Sequence, residues 1–546
     1  MSILQRTASA SIESLNRVFT VPEDQESTLG QIELEISQNL EGFLQQHIVA
    51  VEKDLQEVEK DFSESEIPND PIFVSEQADF LLDKLVSQSV HTASPSFVGH
   101  MTSALPYFML PLSKIMIALN QNLVKTETSK SFTPLERQVT GMLHRLVYEK
   151  SNDFYERFLH DQNYALGAFC SGGTIANITA LWVARNNAFA VSKDFAGVHQ
   201  EGLTSALLHH GYRGAAVLVS ERGHYSLKKT ADILGLGTNN IISIATDDNN
   251  RISMNALKAK CEELTEQKIK IMALVGIAGT TETGSVDPLD EMADLAEQYQ
   301  CHFHVDGAWG APTLFSKRYA PLLKGIERAD SVTIDAHKQL YIPMGAGLVV
   351  FKDPAALHAI EHHAQYIIRK GSKDLGSKTL EGSRPGMAML VHSGLKILGK
   401  SGYELLIEQG INKTRHFADL IEQHDDFELC SEPTLNILTY RYVPRWLQQE
   451  LLDCDSETRE KINASLNRFT KYLQKTQRGH GKAFVSRTQL TPARYQHDPI
   501  IVFRVVLANP LTTPQILKDI LDEQAHLAIQ TGAEVYQNKL LEIARK

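Results

Sequence analysis

The chain has 546 residues, 42% of them hydrophobic and 22% charged, with a formal net charge of -12. It is too long for one small core and suits a soluble globular protein with one large domain and smaller satellites, while its acidic balance argues against nucleic acid or an anionic membrane as partner. Five cysteines, odd in number, widely spaced and without a C-x-x-C or His/Cys cluster, point away from a disulfide framework and a zinc site.

The opening MSILQRTASASIESLNRVF holds no apolar run suited to a signal peptide. The greasiest stretch, residues 499–507, is short and contains Arg504, so a cytoplasmic protein without a membrane span is expected. Between Glu33 and Phe62, Ile36, Leu40, Phe43, Val51, Leu55 and Val58 recur at helical spacing and predict one amphipathic helix with a charged, solvated end. Thr133-Pro134-Leu135-Glu136 predicts a helix start, with threonine as cap, proline in the first turn and glutamate completing a capping box. From about residue 165 to 355 the pattern is alternating α/β, with strands expected over 215–219, 241–245, 271–277, 302–305, 332–334 and 347–351. Strands interleaved with helices imply a largely parallel sheet with both faces covered and ligands at the carboxyl ends of strands. Beyond about residue 395, helices alternate with strand-like segments 435–442 and 500–506. The expected division is a helical segment (1–95), a large domain (96–395) and a small α+β domain (396–546).

Chemistry concentrates in the α/β region. In His304-Val305-Asp306 and Asp335-Ala336-His337-Lys338, an acidic residue closes one strand and a lysine follows roughly thirty residues later. Pyridoxal phosphate (PLP) needs this pair: Lys338 to hold the aldehyde, and Asp306 to keep the ring nitrogen protonated so that the ring accepts electrons. Ser171-Gly172-Gly173-Thr174 precedes a strong helix, where glycines and free N–H groups suit a phosphate; the absent Gly-Lys-Ser/Thr ending excludes a nucleotide P-loop. His224 leaves a strand toward the cleft and fits stacking on the ring, or else local capping. Thr281, in a loop of small residues, fits the ring hydroxyl, or else a plain surface loop. Ala308 allows the ring to lie flat above it. Arg384, in Glu381-Gly-Ser-Arg384-Pro-Gly, offers a planar fork for a substrate carboxylate; the competing reading is a surface arginine in a turn.

In this order the motifs resemble the group II PLP-dependent amino-acid decarboxylases, from about Ser94 to Ser401, with a weaker echo in VFRVVLANP (502–510). The resemblance implies an α/β protein of PLP fold type I (aminotransferase-like), a mostly parallel sheet in the large domain, and a homodimer acting on an amino acid. It implies Lys338, Asp306 and His224 in the roles above, and His337 close to phosphate and substrate. It also implies a pocket wall from Phe97 and His100 and a Cα proton donor on the 362–377 loop, for which Tyr366 is the choice here. Gln339 stands where many members have tryptophan, Gly307 replaces alanine, and Ala311 replaces a frequent glycine. The DAHKQLYIPMGAG and Glu-Gly-Ser-Arg-Pro-Gly stretches look most similar to the bacterial aspartate 1-decarboxylase branch. That implies L-aspartate converted to β-alanine for pantothenate and coenzyme A. Glutamate, cysteine sulfinate or tyrosine decarboxylation stays open, as does a catalytically silent binding protein of the same fold.

Overall fold

The computed structural model describes residues 11, 24–48, 53–363 and 372–544. Strands β1 (Gly167–Cys170), β2 (Gly214–Ser220), β3 (Ile241–Ile244), β4 (Ile269–Ile277), β5 (His302–Asp306), β6 (Ser331–Ile334) and β7 (Gly347–Phe351) make one sheet, ordered β1-β7-β6-β5-β4-β2-β3. Neighbours from β6 through β3 run parallel, and β7 is antiparallel to β1 and β6. The carboxyl ends of β1, β2, β4, β5 and β6 therefore share one edge. Residues of β2 alternate between two cores, Ala216 and Leu218 entering one and Ala215, Val217 and Val219 the other. Such strands read as continuous apolar runs because both faces are covered. The helices α1 (Phe132–Tyr148) and α2 (Gly173–Asn187) are among those that cover them.

A third helix, α3 (Ala388–Glu422), carries the chain into the C-terminal part and is broken at Gly399, whose φ of 64° is left-handed. There β8 (Phe427–Ser431), β9 (Ile437–Tyr442), β10 (Ser486–Leu490) and β11 (Ile500–Val506) form an antiparallel sheet ordered β10-β11-β9-β8. Helices Ser456–His480 and Pro514–Ile529 share its core. Residues 93–99 pack here too. Val98 N–H donates to the Phe484 carbonyl, and the Val506 N–H to the Val98 carbonyl. Asn509 Nδ2 holds the carbonyls of Ala93 and Ser94. This mixed α/β architecture is fold type I.

Two local expectations are corrected. The helix read between Glu33 and Phe62 is divided: Thr28–Gln38, Leu40–His47 and Leu55–Asp61 are separate. At the first break Asn39 leaves helical geometry and caps the next helix by accepting from the Gly42 N–H at 3.0 Å, an alternative that short polar side chains offer the backbone. The capping box at Thr133 does not form. Helix α1 starts at Phe132 without a side-chain cap, Thr133 Oγ1 pairs with Ser129 Oγ at 2.7 Å, and Glu136 turns inward.

Candidate active site

Each short loop at the shared strand edge delivers one functional group. Ser171–Thr174 follows β1, His224 follows β2, Thr281 follows β4, Asp306 ends β5 and Lys338 follows β6. Ser171, Gly172, Gly173, Thr174, His224, Thr281, Asp306, Ala308, His337 and Lys338 all line one cavity of about 390 Å³. Residues scattered over some 170 positions thus meet because parallel strands end together.

Lys338 Nζ lies 3.1 Å from Asp335 Oδ2, and His337 Nε2 lies 3.6 Å from the same oxygen. Burial holds His337 below its ordinary pKa, opposed by Asp335. Asp335 Oδ1 and His337 Nδ1 are buried without a partner among the described residues. The glycine loop presses on this pair: a Cβ at Gly173 would sit 2.7 Å from Asp335 Oδ2, and one at Gly172 would sit 3.1 Å from His337 Cε1. Helix α2 begins at Gly173 with no side-chain cap, leaving its first N–H groups to an anion. The Ser171 N–H is already given to Glu381 at 2.9 Å. The carboxylate of Asp306 accepts from Asn177 Nδ2 at 2.9 Å and from the Ala308 N–H at 3.2 Å.

His224 Nδ1 accepts the Ser226 backbone N–H at 3.3 Å. A backbone N–H only donates, so the proton of the neutral ring resides on Nε2. Burial lowers the pKa of His224 and favours that neutral ring, against the attraction of Asp306. A primary amine, a strand-end carboxylate, a neutral imidazole and an uncapped helix start around orphaned buried polar atoms together fit PLP.

Other expected residues lie elsewhere. Arg384 is buried in a bidentate pair with Glu136 on α1, with Nη2 to Oε1 at 2.6 Å. Burial would lower its pKa, but Glu136 outweighs that and raises it. The expectation of a free carboxylate anchor is therefore corrected: both prongs of the fork are occupied within the protein. Phe97 stacks on Phe484 with ring centroids 4.7 Å apart and lines a different cavity, beside Gln45 and Val58. His100 is exposed and hydrogen-bonds Thr102 at 2.9 Å; besides burial, the charges of Arg504 and Lys338 lower its pKa. Tyr366 lies outside the described residues.

The structure adds two cations that motif reasoning passed over. Arg504 on β11 donates from Nε to the Thr281 carbonyl at 2.5 Å and from Nη1 to the Gly99 carbonyl at 3.3 Å, while its buried Nη2 has no partner among the described residues. Burial lowers its pKa to about 10. Arg222, two residues before His224, lines the cavity with a buried, unpaired Nε. An arginine interrupting the apolar run of β11 was the available sequence signal for the first.

Fold and site define a PLP enzyme of fold type I. The family model of the pyridoxal-dependent decarboxylase conserved domain matches residues 57–443. The chain is 61% identical over 523 residues to an aspartate 1-decarboxylase of Aliivibrio fischeri, covering 96% of each sequence. It is 30% identical over 363 residues to an aromatic-L-amino-acid decarboxylase of Bacillus atrophaeus, covering 65% of this chain and 68% of that one. A crystal structure of mouse CSAD superposes with a TM-score of 0.78 at 24% identity, covering 92% of this chain and 98% of that one. The chain belongs to the pyridoxal-dependent decarboxylase family, and it is a carboxy-lyase that uses PLP to decarboxylate an amino acid.

Proposed function

We propose that the enzyme converts L-aspartate to β-alanine and CO2. The observation that carries this is the meeting of Lys338, Asp306 and His224 in one cavity lined by Arg222, with Arg504 bonded to the carbonyl of the lining residue Thr281; each guanidinium has a buried N–H without a partner among the described residues. Two spare cationic donors suit a short substrate with two carboxylates. The full-length likeness to an aspartate 1-decarboxylase supports the same reading.

PLP supplies an electron sink for the pair left on Cα when CO2 departs. Lys338 would provide the amine that holds the cofactor. Asp306 would keep the ring nitrogen protonated, and His224 would pack against the ring. Ser171–Thr174 and the start of α2 would hold the phosphate, and Thr281 would serve the ring hydroxyl. Arg504 and Arg222 would orient the substrate by its carboxylates. Tyr366 is the proposed Cα proton donor.

A second copy of this chain is the proposed partner. Tyr107 (87% exposed) and Ile117 (68%), with Leu105, Ile115 and Leu119, leave an apolar stretch around helix Met109–Leu119 in the open. A patch of this kind is covered in an obligate homodimer. We assign the enzyme to the cytoplasm and to supply of β-alanine for pantothenate and coenzyme A. The test is product identification with PLP and equimolar aspartate, glutamate, cysteine sulfinate and tyrosine. β-Alanine should dominate; a different amine as main product would discard aspartate and keep the decarboxylase.

A further inference from the structure

Behind the Asp306 carboxylate, buried polar side chains form a chain with a single direction. Asn177 on α2 donates from Nδ2 to Asp306 Oδ2 at 2.9 Å and to Ser226 Oγ at 3.2 Å. Its Oδ1 receives Thr333 Oγ1 at 2.7 Å and lies 3.1 Å from His304 Nε2. The flipped amide would set an oxygen against the carboxylate, so this orientation holds. An amide oxygen only accepts, hence His304 Nε2 carries a proton. Burial brings the His304 pKa down to about 4, so the ring is neutral and its Nδ1 bare. Ser331 Oγ, 2.8 Å from that Nδ1, must donate to it, and is left to accept from His302 Nε2 at 2.7 Å.

The hydrogen bonds therefore run from His302 through Ser331, His304 and Asn177 to Asp306. Each donor is polarised by the one behind it. A branch leaves at the same amide: Ser226 Oγ, held by Asn177, donates to His224 Nδ1 at 2.8 Å. One buried side chain thus joins the group beside the ring nitrogen to the group over the ring face.

We propose that Asn177 is a positioning residue for the reaction, orienting Asp306 toward the ring nitrogen and His224 over the ring, with His304 and Ser331 setting its amide. The proposal rests on Asp306 as the ring-nitrogen partner, and the experiment separates the two. PLP dissociation constants are measured on the full-length protein from the visible absorption of bound cofactor. The variants are Asn177→Leu, Asp306→Asn, their combination, His304→Leu and His304→Gln, with urea unfolding of each apo-protein as the check on folding. Asp306→Asn and Asn177→Leu should each weaken PLP about tenfold. The double variant should lose clearly less than the sum of the two single losses, because Asn177 acts in part through that carboxylate. His304→Gln, which retains an N–H donor, should bind nearly as wild type, and His304→Leu should follow Asn177→Leu.

Loss in Asp306→Asn with none in Asn177→Leu would overturn the positioning role and leave Asp306 assigned. Fully additive losses in the double variant would mark Asn177 as merely structural and overturn it as well. An unaffected Asp306→Asn would remove the premise, and the proposal with it. Should Asn177→Leu fail to fold, the His304 pair decides: equal effects of leucine and glutamine would overturn the relay.

Discussion

Replacing Glu136 with alanine should destabilise the protein by about 3–5 kcal/mol, although Glu136 lines no part of the cofactor cavity. The magnitude follows from burial. The Arg384 and Glu136 side chains are 5% and 3% exposed, so solvent screens neither charge. They meet through two parallel N–H···O contacts, and Arg384 Nε is already without a partner. Truncating the carboxylate strands a guanidinium between α1 and the turn before α3 and removes two charge-assisted hydrogen bonds, leaving it the lesser attraction of Glu381, which already accepts from the Ser171 N–H. Removing both charges is different: Glu136→Leu combined with Arg384→Met should recover most of the loss, since an apolar pair of similar volume avoids the desolvation of two ions. Urea unfolding of the apo-proteins, singles and double, measures this directly. Arg384→Lys separates the pair from an anchoring role, because lysine cannot reproduce the fork and should lose stability with little change in KM. An unmoved midpoint in Glu136→Ala would refute the reasoning, as would a double variant no more stable than the worse single.

Lys338→Ala should abolish turnover in a discontinuous CO2-release assay, and near wild-type turnover would remove the lysine from the chemistry. Arg504→Gln should raise KM for aspartate by tenfold or more while PLP affinity stays within about twofold, if its Nη2 serves the substrate as proposed. Stability should fall below pH 6.5. Burial places His304 at about 4 and His144 at about 3, both below the unfolded value of 6.5, so the unfolded chain binds the extra protons first. Their contribution is complete above pH 6.5 and should shrink by about 2 kcal/mol each at pH 5. Urea unfolding at the two pH values tests this, and His144→Gln should remove about half of the difference. Ile117→Glu, placing a charge in the exposed apolar stretch, should shift sedimentation from dimer to monomer; a monomeric wild type would dispose of the homodimer.

What was legible in the sequence was whatever a strand end makes local. His224, Thr281, Asp306 and Lys338 each sit within a few residues of an expected apolar strand, and a parallel sheet brings such ends to one edge without further information, while Ser171–Thr174 was legible from the helix it precedes. What failed depended on a distant partner. Glu136 looks like the end of a capping box and Arg384 like a free anchor, yet they are 248 residues apart and satisfy each other. Each reading was locally sound, and no local pattern reveals that two opposite charges will be buried together. Strands β1, β8 and β10 escaped notice for a related reason, being short or mixed in polarity and drawing their stability from antiparallel neighbours.

The same logic explains why Asn177 and Arg504 were overlooked. Asparagine in a helix and arginine in a strand are ordinary in sequence, and gain meaning only when their polar atoms are counted after folding. Every polar atom of the Asn177 amide is spent on named partners, whereas Arg504 retains an Nη2 group that finds no acceptor among the described residues. A buried amide with nothing spare can only orient its neighbours. A buried guanidinium with a donor to spare carries a desolvation cost that a substrate carboxylate relieves, so the two residues take opposite roles from the same rule.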